Sequence, residues 1–265
     1  MIIFKYEFKQ LFKSTVIWSI VLSIIIILML PVYVDMLTIN EGMSMDLFEG
    51  VEYYKNFGTN LETLLTPIGA YSFLATFISF AIAVHGMSLG IKMFTKEYHY
   101  KTADFLMTKT YNRKSIFISK ILASLFSGFI ISVFFTMASL IGMSMSSYEI
   151  FPFKETALIG FSVFFIYLLF QSMGVITAQL KPRLRSHLIV SFAFMFLSYV
   201  ISSFAYKTEI FALGILSPFT YFKGLDIIQL SSYHPLKLIA AIIISFSLFF
   251  ISYIIYYSKD VKISQ

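Results

Sequence analysis

The sequence predicts an all-α integral membrane protein, with residues 1–265 forming a single transmembrane domain. Of its 265 residues, 58% are apolar and only 13% are charged, whereas a soluble domain carries about 25% charged residues. The apolar residues occur in long runs, and a helix needs about 20 such residues to cross the ~30 Å hydrocarbon layer. The roughly 10-residue alternating segments of a membrane β-barrel are absent from the sequence. Helices are therefore expected, because lipid cannot hydrogen-bond an exposed backbone.

Six runs have the length and composition of a membrane span. They lie at 15–34, 68–91, 119–143, 157–178, 188–206 and 236–257. None has an Asp, Glu, Lys or Arg near its middle. Ion-coupled transporters usually mark their path with such groups, so the pattern argues against a secondary transporter. The sequence has no Gly-x-x-x-x-Gly-Lys-Ser/Thr phosphate loop, so ATP-driven work would need another polypeptide.

The basic residues predict the orientation of the chain. Fifteen of the 20 Lys and Arg residues lie at the termini, in the loops after the second and fourth runs, or just inside the third run. Basic residues are retained on the cytoplasmic side. We therefore expect a multi-pass protein of the plasma membrane with both termini cytoplasmic. The net charge of +6 reflects this sidedness, so we expect no nucleic-acid partner. With no cysteine and four scattered histidines, we also expect no metal site.

The N-terminal segment 1–14 has an aromatic stripe. Phe4, Phe8 and Phe12 recur every four residues, and lysines line a neighbouring face. This pattern predicts an interfacial elbow helix with its aromatic side toward the membrane and its lysines toward anionic lipid. Such a helix could simply anchor the chain and set its topology. Alternatively, it could also contact a cytoplasmic partner.

The loop at 92–115 has the pattern of a short amphipathic helix. Phe94, Tyr98 and Phe105 fall within a narrow arc of a helical wheel. Glu97 precedes Lys101 by four residues, the favourable order for a helical ion pair. A helix of this kind can dock into a groove on another protein. The alternative is a solvated loop whose lysines only enforce topology.

The same loop resembles the first cytoplasmic loop of type-2 ABC exporter permeases. The resemblance rests on a glutamate after the second span, a Lys-Thr-Ala-Asp-Phe-Leu run at 101–106, Asn112-Arg113, and Lys120 at the start of the third span. It departs from the family pattern at Thr110, where proline is usual. The resemblance implies a coupling helix that transmits closure of an ATPase to the spans. The implied coupling residues are Glu97, Tyr98, Lys101, Thr102, Asp104, Phe105, Leu106 and Arg113.

The resemblance also implies a function and partners. The chain would be the permease subunit of an ATP-driven exporter and not an enzyme by itself. ATP and Mg²⁺ would bind to a separate ABC ATPase subunit. A second permease chain, identical or a close paralogue, would pair with it, and the cargo would cross at the interface between the two chains, lined by the second and fifth spans. The isoleucine- and lysine-rich composition is typical of Gram-positive bacteria. Within the family, the resemblance implies export of amphipathic peptides such as phenol-soluble modulins, or immunity to peptide antibiotics. The 31 Phe and 17 Tyr residues would suit an apolar path for an amphipathic or lipid-like cargo.

The outer segment at 207–235 is half apolar but too broken to span. Gly214, Pro218 and Gly224 interrupt it, as expected of a re-entrant or interfacial segment. The resemblance implies an outer lid containing Pro218, Phe219 and Tyr221. No residue pattern identifies the substrate-binding residues.

The sequence Gly86-Met-Ser88-Leu-Gly90 supports two interpretations. It matches the Gly-x-Ser-x-Gly motif of hydrolases, which exposes its serine on a strand-to-helix turn. Here the motif lies within a predicted span, so Gly86 and Gly90 fit better as small residues at a helix contact. A membrane-embedded hydrolase using Ser88 and a non-transporting membrane anchor or sensor are the alternatives to the exporter.

Overall fold

The computed structural model of the protein describes residues 2–39, 61–64, 66–99, 112–146, 152–208 and 211–258. All regular elements in these ranges are helical. They are α1 (Ile2–Ile39), α2 (Leu61–Leu64), α3 (Pro67–His99), α4 (Arg113–Met145), α5 (Phe153–Leu180), α6 (His187–Thr208), α7 (Phe211–Leu216), a 3₁₀ turn (Pro218–Thr220), α8 (Gly224–Leu230) and α9 (Pro235–Ser258). Six of the described helices, α1, α3, α4, α5, α6 and α9, are long and apolar enough to cross a membrane. The predicted all-α fold with six spans is confirmed.

The first helix differs from the prediction of a separate elbow at 1–14. α1 runs unbroken for 38 residues, about 57 Å at 1.5 Å per residue. Because the hydrocarbon layer is only ~30 Å thick, its first turns extend beyond that layer as part of the same helix. No glycine or proline occurs before Pro31 to break it. The Thr15 hydroxyl donates to the Leu11 carbonyl at 3.0 Å and lies 2.6 Å from the Ser127 hydroxyl of α4. This contact holds α1 against α4 at the point where the segment 1–14 meets the predicted first span.

The bundle is built around α3 and α5, the two most buried of the six long helices. These two pack along each other, α1 packs along α4, and α4 and α9 pack on α5. α6 contacts mainly α3. The apolar outer faces of α1, α6 and α9 stay exposed in the single chain, as expected where lipid is the solvent.

Glycines set the close contact between α3 and α5. A Cβ on Gly90 would lie 2.6 Å from the Gln171 carbonyl oxygen, and one on Gly86 would lie 2.9 Å from that of Tyr167. From the other side, a Cβ on Gly174 would meet the Met87 carbonyl. Both of the predicted packing glycines therefore lie where the two backbones approach too closely for a side chain.

The ends of four helices meet on one face of the bundle, which we call the terminal face. It contains the start of α1, the end of α3, the start of α4 and the end of α9. The Arg113 guanidinium donates to the Tyr257 carbonyl at 3.4 Å, joining α4 to α9 there. The segment between α6 and α9 lies on the opposite face, where Phe219 packs 5.0 Å from Phe80 and 5.3 Å from Phe170 between ring centroids.

Candidate functional site

A buried lysine lies at the centre of the terminal face. Lys120, in the second turn of α4, has a side chain only 1% exposed. Its ammonium donates to the Met93 carbonyl at 2.7 Å and to the carboxylate of Glu97. Removing an ammonium from water costs several kcal/mol unless it is paired, so these contacts with the last turns of α3 hold Lys120 in place.

A second ion pair joins α1 to the same point. The Glu7 carboxylate, 6% exposed, accepts from the Lys96 ammonium at 2.5 Å, and its other oxygen lies 4.0 Å from the Lys120 ammonium. Lys96 also donates to the Gln10 side chain at 2.8 Å. We call Glu7, Lys96, Glu97 and Lys120 the ion cluster. Its two acids and two bases balance in charge and link α1, α3 and α4.

Aromatic rings extend this link to the last helix. The Lys120 ammonium lies 5.3 Å from the centroid of the Phe94 ring, within cation–π range. Phe94 lies 5.2 Å from Phe117 and 5.9 Å from Tyr256 of α9 between ring centroids. All three rings are buried. The four helix ends on the terminal face are therefore joined by contacts that would resist independent movement.

The predicted coupling residues fall only partly within the described residues. Glu97 belongs to the ion cluster, and the Arg113 guanidinium donates to the Tyr257 carbonyl. Asn112, just before α4, accepts from the backbone N–H of Lys114 at 3.0 Å and caps the helix. The residues outside the described ranges are Lys101, Thr102, Asp104, Phe105 and Leu106, and of Tyr98 only the backbone is described.

Part of the aromatic stripe of the N-terminal segment packs against protein. Phe8 lies 5.1 Å and Phe4 6.3 Å from Phe126 of α4, measured between ring centroids. Phe12 remains 54% exposed. The first two rings of the stripe therefore face α4, whereas Phe12 stays on the surface.

Sequence reasoning missed Glu7, although a signal was present. Glu7 lies between Phe4 and Phe8 on the apolar side of α1, where an acid would be buried without a partner. A carboxylate at such a position predicts a basic partner on a neighbouring helix. The sequence places Lys120 at the start of the third span but does not predict its partner. The structure shows that Lys120 pairs with Glu97.

The motif around Ser88 forms a helix contact. The Ser88 hydroxyl lies 2.9 Å from Nδ1 of His187, at the start of α6. Ser88 is buried in the unbroken helix α3, without the strand-to-helix turn that exposes a nucleophilic serine. The pair therefore joins the second and fifth spans near the terminal face. The Ser88–His187 pair is nonetheless the one observation that favours the hydrolase alternative.

The predicted lid residues pack against α3 and α5, where Phe219 contacts Phe80 and Phe170 about midway along these helices. Pro218 and Tyr221 are buried, and the Tyr221 hydroxyl donates to the Ile215 carbonyl at 2.7 Å. Beneath Phe219, a cavity of about 30 Å³ lies between the second and fifth spans, which is enough space for a water molecule. Its polar lining comes from Thr76, Ser79, Tyr199, Ser202 and Lys223.

Six apolar helices, three of which are joined by buried charges at one face, define a polytopic membrane protein. Comparison with known families identifies which kind of membrane protein this is. Over residues 1–259 the chain matches the family described as ABC-2 family transporter protein, and it belongs to that family. It is thus a membrane permease of an ABC transporter, a kind of subunit that normally works with an ABC ATPase. No curated protein matches the chain at a significant level.

Proposed function

We propose that this chain is the permease subunit of an ATP-driven exporter that moves an amphipathic peptide, antibiotic or lipid-like cargo outward. A separate ATPase subunit would bind ATP and Mg²⁺, and both termini would be cytoplasmic. The ion cluster is the observation that carries this proposal. It joins α3 and α4, the helices that end at His99 and begin at Arg113 on either side of the intervening loop, to the first helix of the chain.

The position of the cluster suits transmission of movement. Glu97 lies two residues before the end of α3 at His99, and Lys120 lies in the second turn of α4 after Arg113. A force applied to the intervening loop by a closing ATPase would therefore act on both partners of this ion pair. Through Lys96 and Glu7 the same force would reach α1. The terminal-face ends of the three helices would then move as one body.

The cargo path is proposed to lie between two permease chains, lined by α3 and α6. The exposed aromatic residues of α6, including Phe192, Phe196 and Phe204, suit an apolar or amphipathic cargo. The lid formed by Pro218, Phe219 and Tyr221 would close the path at the outer side.

The test is ATP hydrolysis by the chain co-purified with the ATPase encoded beside it. We expect a stable complex whose turnover changes when amphipathic peptides are added. Failure of any ATPase to co-purify would leave the loop without its proposed partner and favour the anchor or sensor alternative. A hydrolase would instead show ester or peptide cleavage by this chain alone, which Ser88→Ala would abolish.

A further inference from the structure

Hydrogen bonds join α4 to α5 inside the membrane-spanning part of the bundle. The residues that make them are Ser124 of α4 and Tyr167 and Gln171 of α5, all completely buried. The Tyr167 hydroxyl donates to the Ser124 carbonyl at 2.9 Å, and the Gln171 amide nitrogen donates to the Ser124 hydroxyl at 2.6 Å. The hydroxyls of Ser124 and Tyr167 lie 3.1 Å apart. We call these three residues the polar junction, in which two side chains of α5 hold a single residue of α4.

The ring of Tyr167 fills a gap that two glycines leave. A Cβ on Gly128 of α4 would lie 2.2 Å from Cε1 of this ring, and one on Gly86 of α3 would lie 3.0 Å from its Cδ2. The ring is thus enclosed between α3 and α4, where small residues allow close approach. α5 cannot slide along α4 unless the Tyr167 hydroxyl leaves the Ser124 carbonyl. Because a buried polar group that loses its partner is costly, the polar junction opposes such sliding.

The polar junction lies one helical turn further into the bundle than the ion cluster. Ser124 follows Lys120 by four residues on α4, about 6 Å along the helix axis at 1.5 Å per residue. The ion cluster links α1, α3 and α4, but α5 contributes no residue to it. α1 packs along α4, and α3 packs along α5. The polar junction therefore joins these two helix pairs at a second level, and two levels of attachment resist the pivoting that one level allows.

We propose that Ser124, Tyr167 and Gln171 are positioning residues that make the two helix pairs move as one body, so that movement of the ion cluster reaches the membrane interior. This proposal rests on the exporter function proposed above, and it adds α5 to the helices that the ATPase moves. Lipid provides no hydrophobic driving force between helices, so directional hydrogen bonds are suited to this task. All three residues are buried within the chain. Loss of the polar junction should therefore leave cargo binding intact and weaken the response to the cargo.

The test compares Ser124→Ala with Ser132→Ala in the complex co-purified with the ATPase encoded beside this chain. Both serines are completely buried on α4, but the Ser132 hydroxyl donates to the Gly128 carbonyl of its own helix at 2.9 Å. Both variants should fold and bind the ATPase. We expect the maximal peptide-dependent change in ATP turnover to fall at least about fivefold in Ser124→Ala only, the lower end of typical coupling between sites. The peptide concentration that gives half of the effect should stay the same in both variants.

The possible failures of this test are distinguishable. An equal peptide response in the wild type and in Ser124→Ala would overturn the proposal and leave the exporter function standing. An equal loss in the two serine variants would also overturn it, because the effect would then not depend on the bond to α5. Absence of any peptide response in the wild-type complex would contradict the exporter function, and with it this inference. If Ser124→Ala does not fold, Tyr167→Phe gives the same comparison, since it removes only the hydroxyl and keeps the ring between Gly86 and Gly128.

Discussion

The carboxylate of Glu7 lies 2.5 Å from the ammonium of Lys96, so an ion pair joins the first turns of α1 to the last turn of α3 across 89 residues of sequence. Lys120 lies 4.0 Å from the other oxygen of the same carboxylate. The N-terminal segment is therefore fixed to α3 and α4, the helices on both sides of the loop between His99 and Arg113. This relationship leads to the predictions that follow.

Removing the buried ammonium should destabilise the protein. Lys120→Met leaves Glu97 and Glu7 facing a buried apolar side chain, and breaking a buried pair by removing one partner costs about 3–5 kcal/mol. Unfolding of the purified chain in detergent measures this loss. Lys114→Met, in the exposed first turn of α4, is the matched control and should cost less than about 0.5 kcal/mol. Adding Glu97→Gln to Lys120→Met should recover part of the loss, and equal stability of the two lysine variants would contradict the assignment.

The loop itself should control ATP hydrolysis. Replacing both Phe105 and Leu106 with aspartate should abolish peptide-dependent hydrolysis by the co-purified complex, because a charged surface could not dock in an apolar groove. Membrane insertion should be unchanged, as judged by protein yield in the membrane fraction. Thr110→Pro restores the residue usual in the family and should retain activity. Unchanged hydrolysis in the Phe105/Leu106 variant would show that these residues are not the contact.

The α3–α5 contact should be sensitive to a single methyl group. Gly90→Ala would place its Cβ 2.6 Å from the Gln171 carbonyl oxygen, and overpacking of this kind costs about 1–3 kcal/mol. Gly214→Ala is the control, since no atom lies within 4 Å of its added Cβ. Alanine also favours the helical conformation. We expect a lower melting temperature only for Gly90→Ala, and equal melting temperatures would contradict the close packing.

One substitution distinguishes a packing role of Ser88 from a catalytic role. Ser88→Ala removes the hydrogen bond to His187, with an expected loss of about 1 kcal/mol in stability. ATP turnover of the complex and its response to peptide should be kept. If the chain alone cleaved an ester or peptide, and Ser88→Ala abolished that cleavage without unfolding the protein, a catalytic serine would be favoured instead.

The sequence predicted the spans well because their signal is local. Twenty apolar residues without a central charge fit a helix in lipid and little else. The ion cluster was only half predictable. Glu97 followed from its loop, but its partners Lys120 and Glu7 come from other helices, and pairing between helices depends on how their faces are rotated. The continuity of α1 was missed because an amphipathic pattern does not tell whether the helix is interrupted at the membrane surface.

The stripe formed by Phe4 and Phe8 shows the same limit. Its spacing predicted a helix with one apolar face, which the structure contains. The sequence could not tell whether lipid or protein covers that face, since both are apolar. The contact between Phe8 and Phe126 of α4 shows that protein covers this part of the stripe.

The most direct test of the account asks whether the ends of α1 and α3 move as one body during ATP hydrolysis. The chain has no cysteine, so Glu7→Cys and Lys96→Cys introduce one defined pair, and removing both charges leaves Lys120 balanced by Glu97. A short bifunctional thiosulfonate then cross-links the two helices reversibly. The account predicts that the cross-linked complex keeps its peptide-dependent ATP hydrolysis. Loss of hydrolysis on cross-linking and its recovery on reduction would show that α1 and α3 must separate, which contradicts transmission through a rigid ion cluster.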